Sequence, residues 1–285
     1  MAASWTIPGA DGQPIYGNTH SPKGEPRGVL VICHGFKGYK DYGFFPHLAE
    51  EAARAGLVAH RFNFSHSGMT NNAATFERPE LFERDTWGKQ IHDITLVHEA
   101  VKAGRLGAYR GQPVAWFGHS RGGVTVLLTA ARLGNEGPDR LVATASPHSA
   151  CFLDDDQKRL LRKQGWVASP SSRTGQELRV GVDWLTEIEA NPEAFDPLLA
   201  IRHIEVPILL IHGETDSTVP VSSSQLLQRA SGQRATLTII PNAGHTFNAP
   251  NPLPLGQSGQ SPPPETRAMI DAAIRFAAPH PYVVS

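Results

Sequence analysis

Short apolar runs of strand length recur along the chain, and amphipathic stretches separate them. This alternation is typical of βαβ units wound into a mostly parallel sheet. Several of the runs are too continuously apolar to present a face to solvent, so we expect central strands with helices on both faces. The clearest predicted strands are residues 29–33, 57–62, 113–117, 141–145, 207–211 and 235–240.

The stretches between the predicted strands have the periodicity of helices. In residues 89–103, branched apolar residues recur every three or four positions and form one stripe along a helix. Residues 44–55 and 122–133 are also predicted to be helical, and Pro264 is expected to begin a closing helix that ends at residue 278. These helices would cover the sheet.

Residues 147–204 interrupt the alternation, because they contain large aromatic residues and a Ser-Pro-Ser-Ser segment but no strong central-strand signal. We interpret them as a cap inserted over the sheet of a core domain that comprises residues 1–146 and 205–285. Three successive aspartates at 154–156 precede a basic run, an order that favours a helix through its macrodipole over a metal site. The stretch 248–264 is rich in Pro, Gly, Ser and Gln and is predicted to be a mobile loop.

Composition narrows the classes of partner. The chain has 26 basic and 27 acidic residues and a formal net charge of −1, so it has no strong field to attract nucleic acid or anionic lipid. The amino terminus lacks the basic and apolar regions of a signal peptide, and no apolar run approaches the roughly 18 residues of a membrane span. We therefore expect a cytoplasmic protein that binds neither nucleic acid nor membranes. Cys33 and Cys151 are too few for a disulfide framework and are interpreted as small buried hydrophobic residues.

A nucleophile motif follows one of the predicted strands. Residues 118–122, Gly-His-Ser-Arg-Gly, fit the pattern G-x-S-x-G between a predicted strand and a predicted helix. In that context the pattern indicates a nucleophile elbow, in which small residues let the chain reverse sharply and expose the hydroxyl of Ser120. A serine hydroxyl needs a base to remove its proton during attack, and the base needs an acid to orient it.

Candidates for both partners lie downstream. Asp216 and His245 each lie in a loop that follows a predicted strand, and their order after Ser120 is the chain order of the Ser-Asp-His triad on α/β-hydrolase scaffolds. Acyl transfer also needs donors for the tetrahedral oxyanion. We predict that these are the backbone N–H groups of Arg121, the residue after the nucleophile, and of Phe36, in the loop after an early strand.

The sequence resembles the α/β-hydrolase superfamily over most of its length, and more narrowly the bacterial carboxylesterases of the cinnamoyl or feruloyl esterase type. The motifs that carry the resemblance are His34-Gly-Phe-Lys-Gly, Arg61-Phe-Asn-Phe-Ser-His-Ser-Gly68, Gly118-His-Ser-Arg-Gly-Gly123, His212-Gly-Glu-Thr-Asp216 with Val219-Pro220, and Gly244-His245. The resemblance implies an α/β-hydrolase fold with an inserted cap, and a Ser-Asp-His hydrolase that needs no cofactor or metal. Its substrate would be a small-molecule carboxylic ester with a small or aromatic acyl group, cleaved through an acyl-enzyme.

The bond that is cleaved stays open, because related thioesterases, amidases and proline-preferring peptidases share these motifs. A further alternative is a hydrolase-fold protein that binds a small molecule without turning it over. The sequence also leaves monomer and homodimer open. The family often has Asp where this chain has Asn63, and Gly where it has His66, so the turn after the second predicted strand is left undefined.

Some polar residues near the motifs receive supporting roles. His34 and His119 are expected to pack or hydrogen-bond beneath the loops rather than to transfer protons. Glu214 precedes Asp216 in the same loop and is the weaker candidate for the orienting acid.

The insertion has its own set of large side chains. Its aromatic residues are interpreted as a small core of the insertion rather than as the wall of an acyl pocket, and they are Trp166, Trp184 and Phe195. Arg173 and Arg179 could anchor a substrate carboxylate, but exposed arginines seldom have so specific a role, and we leave them outside the predicted site.

Overall fold

The structure is a computed structural model that describes residues 2–107, 109–254 and 261–278. Its strands are β1 (Ala3–Pro8), β2 (Pro14–His20), β3 (Gly28–Cys33), β4 (Leu57–Asn63), β5 (Val114–His119), β6 (Arg140–Thr144), β7 (Trp166–Ala168), β8 (Arg179–Gly181), β9 (Ile208–Gly213) and β10 (Ala235–Ile240). Its helices are α1 (Phe45–Arg54), α2 (Pro79–Glu83), α3 (Trp87–Lys102), α4 (Arg121–Leu133), α5 (Asp155–Gln164), α6 (Val182–Ala190), α7 (Pro197–Ala200), α8 (Ser222–Ala230) and α9 (Pro264–Ala277).

Eight of these strands form one sheet, in the order β1-β2-β4-β3-β5-β6-β9-β10. The six strands from β4 to β10 in that order pair in parallel, whereas β2 is antiparallel to both β1 and β4. β7 and β8 form a separate antiparallel pair. The predicted mostly parallel sheet is therefore confirmed.

Helices cover the sheet on both faces, which explains why its central strands are continuously hydrophobic. In β3, Val29 and Val31 pack on the face covered by α3 and α4, whereas Leu30 and Ile32 pack on the face covered by α1 and α9. All four side chains are buried. Because successive residues of a strand point to opposite faces, a strand covered on both sides has no position for a polar residue.

The predicted strands and helices are all present, and their bounds lie within two residues of those expected. The expectation of a central position fails for β10, which is an edge strand with exposed positions. The hairpin of β1 and β2 at the other end of the sheet was not predicted, because its strands mix polar residues, glycine and proline with the apolar ones. Helix α8 was not predicted either, because three serines at its start obscure the apolar stripe.

Residues 147–204 leave the sheet after β6 and return before β9. The predicted acid-first helix is α5, where Asp154 accepts the Gln157 N–H and the Gln157 side chain accepts the Asp154 N–H, a reciprocal cap. Trp184 of α6 is buried in an apolar cluster with Tyr39 and Phe76, which belong to the loops after β3 and β4. The insertion therefore packs onto loops at the carboxyl ends of the parallel strands.

The predicted loop at 248–264 lies only partly within the described residues, because residues 255–260 are outside them. In its described part, the Asn251 side-chain oxygen accepts the Gly43 N–H at 2.9 Å, which ties the loop to the segment before α1. None of the helices in the described ranges is long and apolar enough to cross a membrane. Cys33 is fully buried as expected, whereas Cys151 is only partly buried.

Burial lowers the pKa of five of the buried histidines far enough to hold them neutral above about pH 4. Burial lowers the pKa of His20, His34, His60 and His66 from 6.5 to about 4, and that of His119 to about 3. In the unfolded chain the same side chains are protonated below pH 6.5. As the pH falls from 6.5 towards 4, these five histidines therefore bind more protons in the unfolded state. Burial raises the pKa of Asp85 to about 6 and that of Asp93 to about 7, so these two carboxyls bind more protons in the native state and offset part of the effect.

We expect the free energy of unfolding to fall steeply over this pH range, by about 1.4 kcal/mol per pH unit for each fully effective histidine. Urea unfolding followed by tryptophan fluorescence at a series of pH values measures the slope. His60→Gln should reduce the slope by about one proton, whereas His92→Gln, at an exposed position of α3, should leave it as in the native protein. An identical slope in the native protein and His60→Gln would contradict this account.

Candidate active site

Ser120 lies between β5 and α4 with φ 54° and ψ −122°, a conformation that is rare for a residue with a side chain. Two flanking glycines make this sharp reversal feasible. A Cβ atom on Gly118 would lie 2.3 Å from the Gly122 carbonyl oxygen, and one on Gly122 would lie 2.5 Å from the His34 carbonyl oxygen. The predicted nucleophile elbow is therefore present in the backbone.

The structure brings the three residues of the predicted triad into one hydrogen-bonded chain. His245 Nε2 lies 3.0 Å from Ser120 Oγ, and His245 Nδ1 lies 2.8 Å from Asp216 Oδ2. Because an ionised carboxylate only accepts hydrogen bonds, the proton belongs on Nδ1, which leaves Nε2 to accept the serine O–H. Their loops follow the parallel strands β5, β9 and β10, whose carboxyl ends meet at one edge of the sheet.

The carboxylate of Asp216 is buried and fully hydrogen-bonded. Its Oδ1 accepts the N–H groups of Thr218 and Val219, each at 2.9 Å, and its Oδ2 accepts from His245. Burial alone would raise the pKa of Asp216, but hydrogen bonds from His212, His245 and the Val219 N–H outweigh burial and hold it well below its usual range. Asp216 is therefore ionised at neutral pH.

A second histidine touches the same carboxylate, and our sequence reasoning did not include it in the site. His212 Nε2 lies 3.3 Å from Asp216 Oδ2 and 2.9 Å from the Val219 carbonyl oxygen, while its Nδ1 lies 2.6 Å from Ser224 Oγ. The side chain of His212 is fully buried. The sequence feature that could have identified His212 is its position four residues before Asp216, at the end of a strand.

Glu214, the alternative acid, points elsewhere. It is exposed, and its carboxylate accepts the Asn242 N–H at 3.2 Å. His34 and His119 support the loops, as expected. His34 donates from Nδ1 to the Gly35 carbonyl oxygen and accepts the Phe64 N–H, while His119 Nε2 donates to the carbonyl oxygen of His245 at 2.9 Å.

The two predicted oxyanion donors belong to segments that adjoin the nucleophile. Arg121 is the first residue of α4, and Phe36 belongs to a loop that touches the elbow, because a Cβ atom on Gly35 would lie 3.0 Å from Ser120 Cβ. Among the described residues, neither the Phe36 N–H nor the Arg121 N–H donates to another protein group. Both N–H groups are therefore free to donate a hydrogen bond near Ser120.

The side chain of Arg121 has a role that its backbone position does not reveal. It is buried, and its guanidinium lies 3.1 Å from Asp85 Oδ2, 4.7 Å from the Trp87 ring and 5.7 Å from the Phe36 ring. Gln90 donates to the same carboxylate at 2.7 Å. Burial raises the pKa of Asp85 to about 6 although Arg121 and Gln90 oppose it. The side chain of Arg121 thus links the elbow to the ring of the other predicted donor residue.

The alpha/beta hydrolase family matches residues 30–255, a span that includes the elbow, the acid and the histidine. This chain belongs to the alpha/beta hydrolase family. The predicted α/β-hydrolase fold is thereby confirmed. Every member of the triad that we predicted lies within the matched span.

Individual relatives of this hydrolase are distant. It is 26% identical over 250 residues to the protein YqkD of Bacillus subtilis, a match that covers 86% of this chain and 73% of YqkD. It is 24% identical over 267 residues to the human monoglyceride lipase, and this match covers 84% of this chain and 82% of the lipase. The solved structure of Est1E from Butyrivibrio proteoclasticus is similar in fold, with a TM-score of 0.68, 16% identity and 96% of each chain covered. A structure of Est1E with bound ferulic acid has a TM-score of 0.70 at 18% identity and covers 97% of this chain and 98% of that chain.

Two cavities meet at Phe36 of this hydrolase. The first has a volume of about 180 Å³, and its mixed polar and apolar lining includes Ser120, His245 and Lys37. The second has a volume of about 460 Å³ and is lined mainly by apolar side chains of the insertion, among them Phe152 and Trp184. Phe36 therefore lies between the cavity of the nucleophile and an apolar cavity of the insertion.

The aromatic residues of the insertion do not share one role. Trp184 and Phe195 both belong to the buried apolar cluster, as expected, and Trp184 also lines the second cavity. Trp166 lies against the guanidinium of Arg179 at 3.9 Å, and Phe195 lies against that of Arg132 at 4.9 Å. Neither is among the residues that line the two cavities.

The two departures from the family pattern occupy hydrogen-bonded positions after β4. Asn63 accepts the Lys40 N–H at 2.7 Å and donates to the Thr70 carbonyl oxygen at 2.7 Å, so it joins two loops. His66 is fully buried, and its Nε2 lies 3.3 Å from Asp11 Oδ2. The turn that the sequence left undefined is thus held by side chains of both residues.

Proposed function

We propose that this chain is a serine hydrolase of the carboxylesterase type, which cleaves a carboxylic ester with a small or aromatic acyl group through an acyl-enzyme. The observation that carries the proposal is the hydrogen-bonded chain from Ser120 Oγ through His245 to Asp216. Such a chain is what a hydroxyl nucleophile needs in order to attack at neutral pH.

In the proposed reaction, Ser120 Oγ attacks the ester carbonyl carbon while its proton passes to His245 Nε2. Asp216 stabilises the imidazolium that forms. The tetrahedral intermediate then collapses, the bond to the alcohol breaks, and His245 returns the proton to the leaving alcohol. Water, activated by the same histidine, hydrolyses the acyl-enzyme and regenerates Ser120.

The oxyanion would be stabilised by the N–H groups of Phe36 and Arg121. This role is supported because neither N–H group donates to another described protein group and both belong to segments that adjoin Ser120. Removal of one such donor costs about 3 to 4 kcal/mol of transition-state stabilisation in related chemistry. We further propose that residues 147–204 act as a cap, and that the apolar cavity behind Phe36 receives the acyl group. One relative is a monoglyceride lipase, and one solved structure of similar fold is Est1E with bound ferulic acid. Both support an ester, rather than a thioester or an amide, as the bond that this chain cleaves.

Covalent labelling with a fluorophosphonate, followed by intact-mass analysis, tests the nucleophile. We expect one adduct per chain on Ser120, and suppression of labelling in His245→Ala because the base is lost. Ser222→Ala, which removes an exposed hydroxyl at the start of α8, should label like the native protein. To identify the type of bond that is cleaved, we compare turnover of one acyl group as its 4-nitrophenyl ester, its thioester and its anilide. Labelling with turnover of the thioester or anilide alone would reject the ester assignment, and no labelling would favour a non-catalytic binding protein.

A further inference from the structure

Lys37 has an unusual backbone conformation in the loop beside the nucleophile. The Gly38 N–H donates to the Gly35 carbonyl oxygen at 3.0 Å, which closes a tight turn with Lys37 at its third position and φ 55°. Turns of this kind favour glycine or asparagine at that position. A lysine in this place indicates that its side chain serves a purpose that the turn itself does not require.

Lys37 is one of the residues that line the cavity with Ser120 and His245. Its Nζ donates to the Pro170 carbonyl oxygen at 2.8 Å and lies 5.4 Å from the centre of the Phe36 ring. An ammonium has three N–H donors, and the described residues offer this one only that single hydrogen bond and no carboxylate within 4.0 Å. Partial burial lowers the pKa of Lys37, as expected for a cation without a counter-charge.

A second cation lines the same cavity. Arg173, from the insertion, stacks on the Tyr39 ring at 4.5 Å and donates to the Ala73 carbonyl oxygen at 2.7 Å. No aspartate or glutamate lines this cavity, and within the described ranges no carboxylate lies within 4.0 Å of Arg173 either. Among the described residues that line the cavity beside Ser120, two are cationic and none is acidic.

Lys37 is partly buried, and the lysine and arginines that are fully buried in the described part of the chain are all paired. Lys40 lies 2.7 Å from a carboxylate oxygen of Asp41, to which Arg61 also binds, and Arg121 pairs with Asp85. Proteins compensate cations that are removed from water because desolvation of an unpaired charge is costly. The missing partner of Lys37 is therefore expected from outside the chain, at the place where substrate binds.

We propose that Lys37 binds an anionic group on the alcohol portion of the substrate, so that the preferred ester carries a carboxylate or a phosphate there, with Arg173 adding to the positive field. The inference rests on the proposed function, because it identifies the substrate class of that site. The apolar cavity has no charged residue in its lining and suits the acyl portion, which leaves the cavity with Lys37 for the alcohol. Lys37 determines specificity in this proposal and takes no part in bond cleavage.

Matched esters test the proposal. We compare kcat/KM for 4-acetoxybenzoate with that for its neutral methyl ester, and 4-acetoxyphenyl phosphate distinguishes a phosphate from a carboxylate preference. We expect the native protein to prefer the anionic ester, and Lys37→Met to reduce the anionic-to-neutral ratio by about 10- to 100-fold, mainly through KM of the anionic ester. Lys37→Arg should retain part of the preference because it keeps the charge, and Lys23→Met, at an exposed position, should retain all of it.

The outcomes separate this inference from the proposed function. Hydrolysis of both esters at equal rates by the native protein would refute the inference and leave the esterase proposal standing. An equal loss on both esters in Lys37→Met would show that Lys37 only supports its loop. If Lys37→Met does not fold, the ratio in Lys37→Arg and the decline of the native ratio with added salt decide the matter. Absence of both labelling and turnover would refute the proposed function, and the inference with it.

Discussion

Replacing Ser120 with alanine is expected to lower kcat for 4-nitrophenyl esters by about 10⁴- to 10⁶-fold. The reason is that the hydroxyl bonded to His245 at 3.0 Å is the only proposed nucleophile in the reaction. The residual rate would come from substrate binding and from the N–H groups of Phe36 and Arg121, which the substitution leaves in place. Steady-state kinetics with protein from a separate purification column, to exclude carry-over, measures the effect.

The substitution should leave the fold intact, so a stability control is needed. Alanine at position 120 keeps the Cβ atom and the strained backbone of the elbow, and we expect a Tm close to that of the native protein. Activity of Ser120→Ala above one per cent of native, at equal Tm, would show that the attacking group lies elsewhere.

Replacing Asp216 with asparagine is expected to lower kcat by about 10⁴-fold, with a smaller effect on KM. In the native protein, His245 Nδ1 donates to Asp216 Oδ2 at 2.8 Å. An amide at that position can present N–H groups to the ring, which favours the tautomer with its proton on Nε2 and removes the base from Ser120. It also removes the negative charge that stabilises the imidazolium. Turnover of the same 4-nitrophenyl ester gives kcat and KM separately.

Glu214→Gln supplies the matched control in the same loop. Glu214 is exposed and accepts from the Asn242 N–H rather than from His245, so we expect nearly native kinetics. A larger loss in Glu214→Gln than in Asp216→Asn would exchange the roles of the two acids.

The sequence predicted best those strands that helices cover on both faces. Strand β3 is apolar at every position because both of its faces are covered, so its pattern needs no knowledge of its neighbours. Strand β1 lies at the edge and is largely exposed, and the buried positions of β2 include asparagine, threonine and histidine, so neither strand has a continuous apolar pattern. In helix α8, Ser223 and Ser224 are buried by tertiary contacts, and these contacts are invisible in a local pattern.

The candidate site divides in the same way. Ser120, Asp216 and His245 could be found because each is placed by a strand end and by its order along the chain. The pairing of Arg121 with Asp85, and its contacts with Phe36 and Trp87, depend on how separate loops pack. The uncompensated charge of Lys37 is likewise a property of the assembled cavity, because it requires knowing which carboxylates are absent from its surroundings.

The two ends of the proton path, Ser120 and His245, lie 125 positions apart in the chain. The histidine follows β10, the last strand of the sheet, which docks at its edge. A ribosome must therefore release the residues up to His245, and β10 must pair with β9, before this histidine can reach the serine. Until then the growing polypeptide has an elbow without its proposed base. With the proposed function, hydrolytic activity would thus report that the sheet has been extended as far as β10.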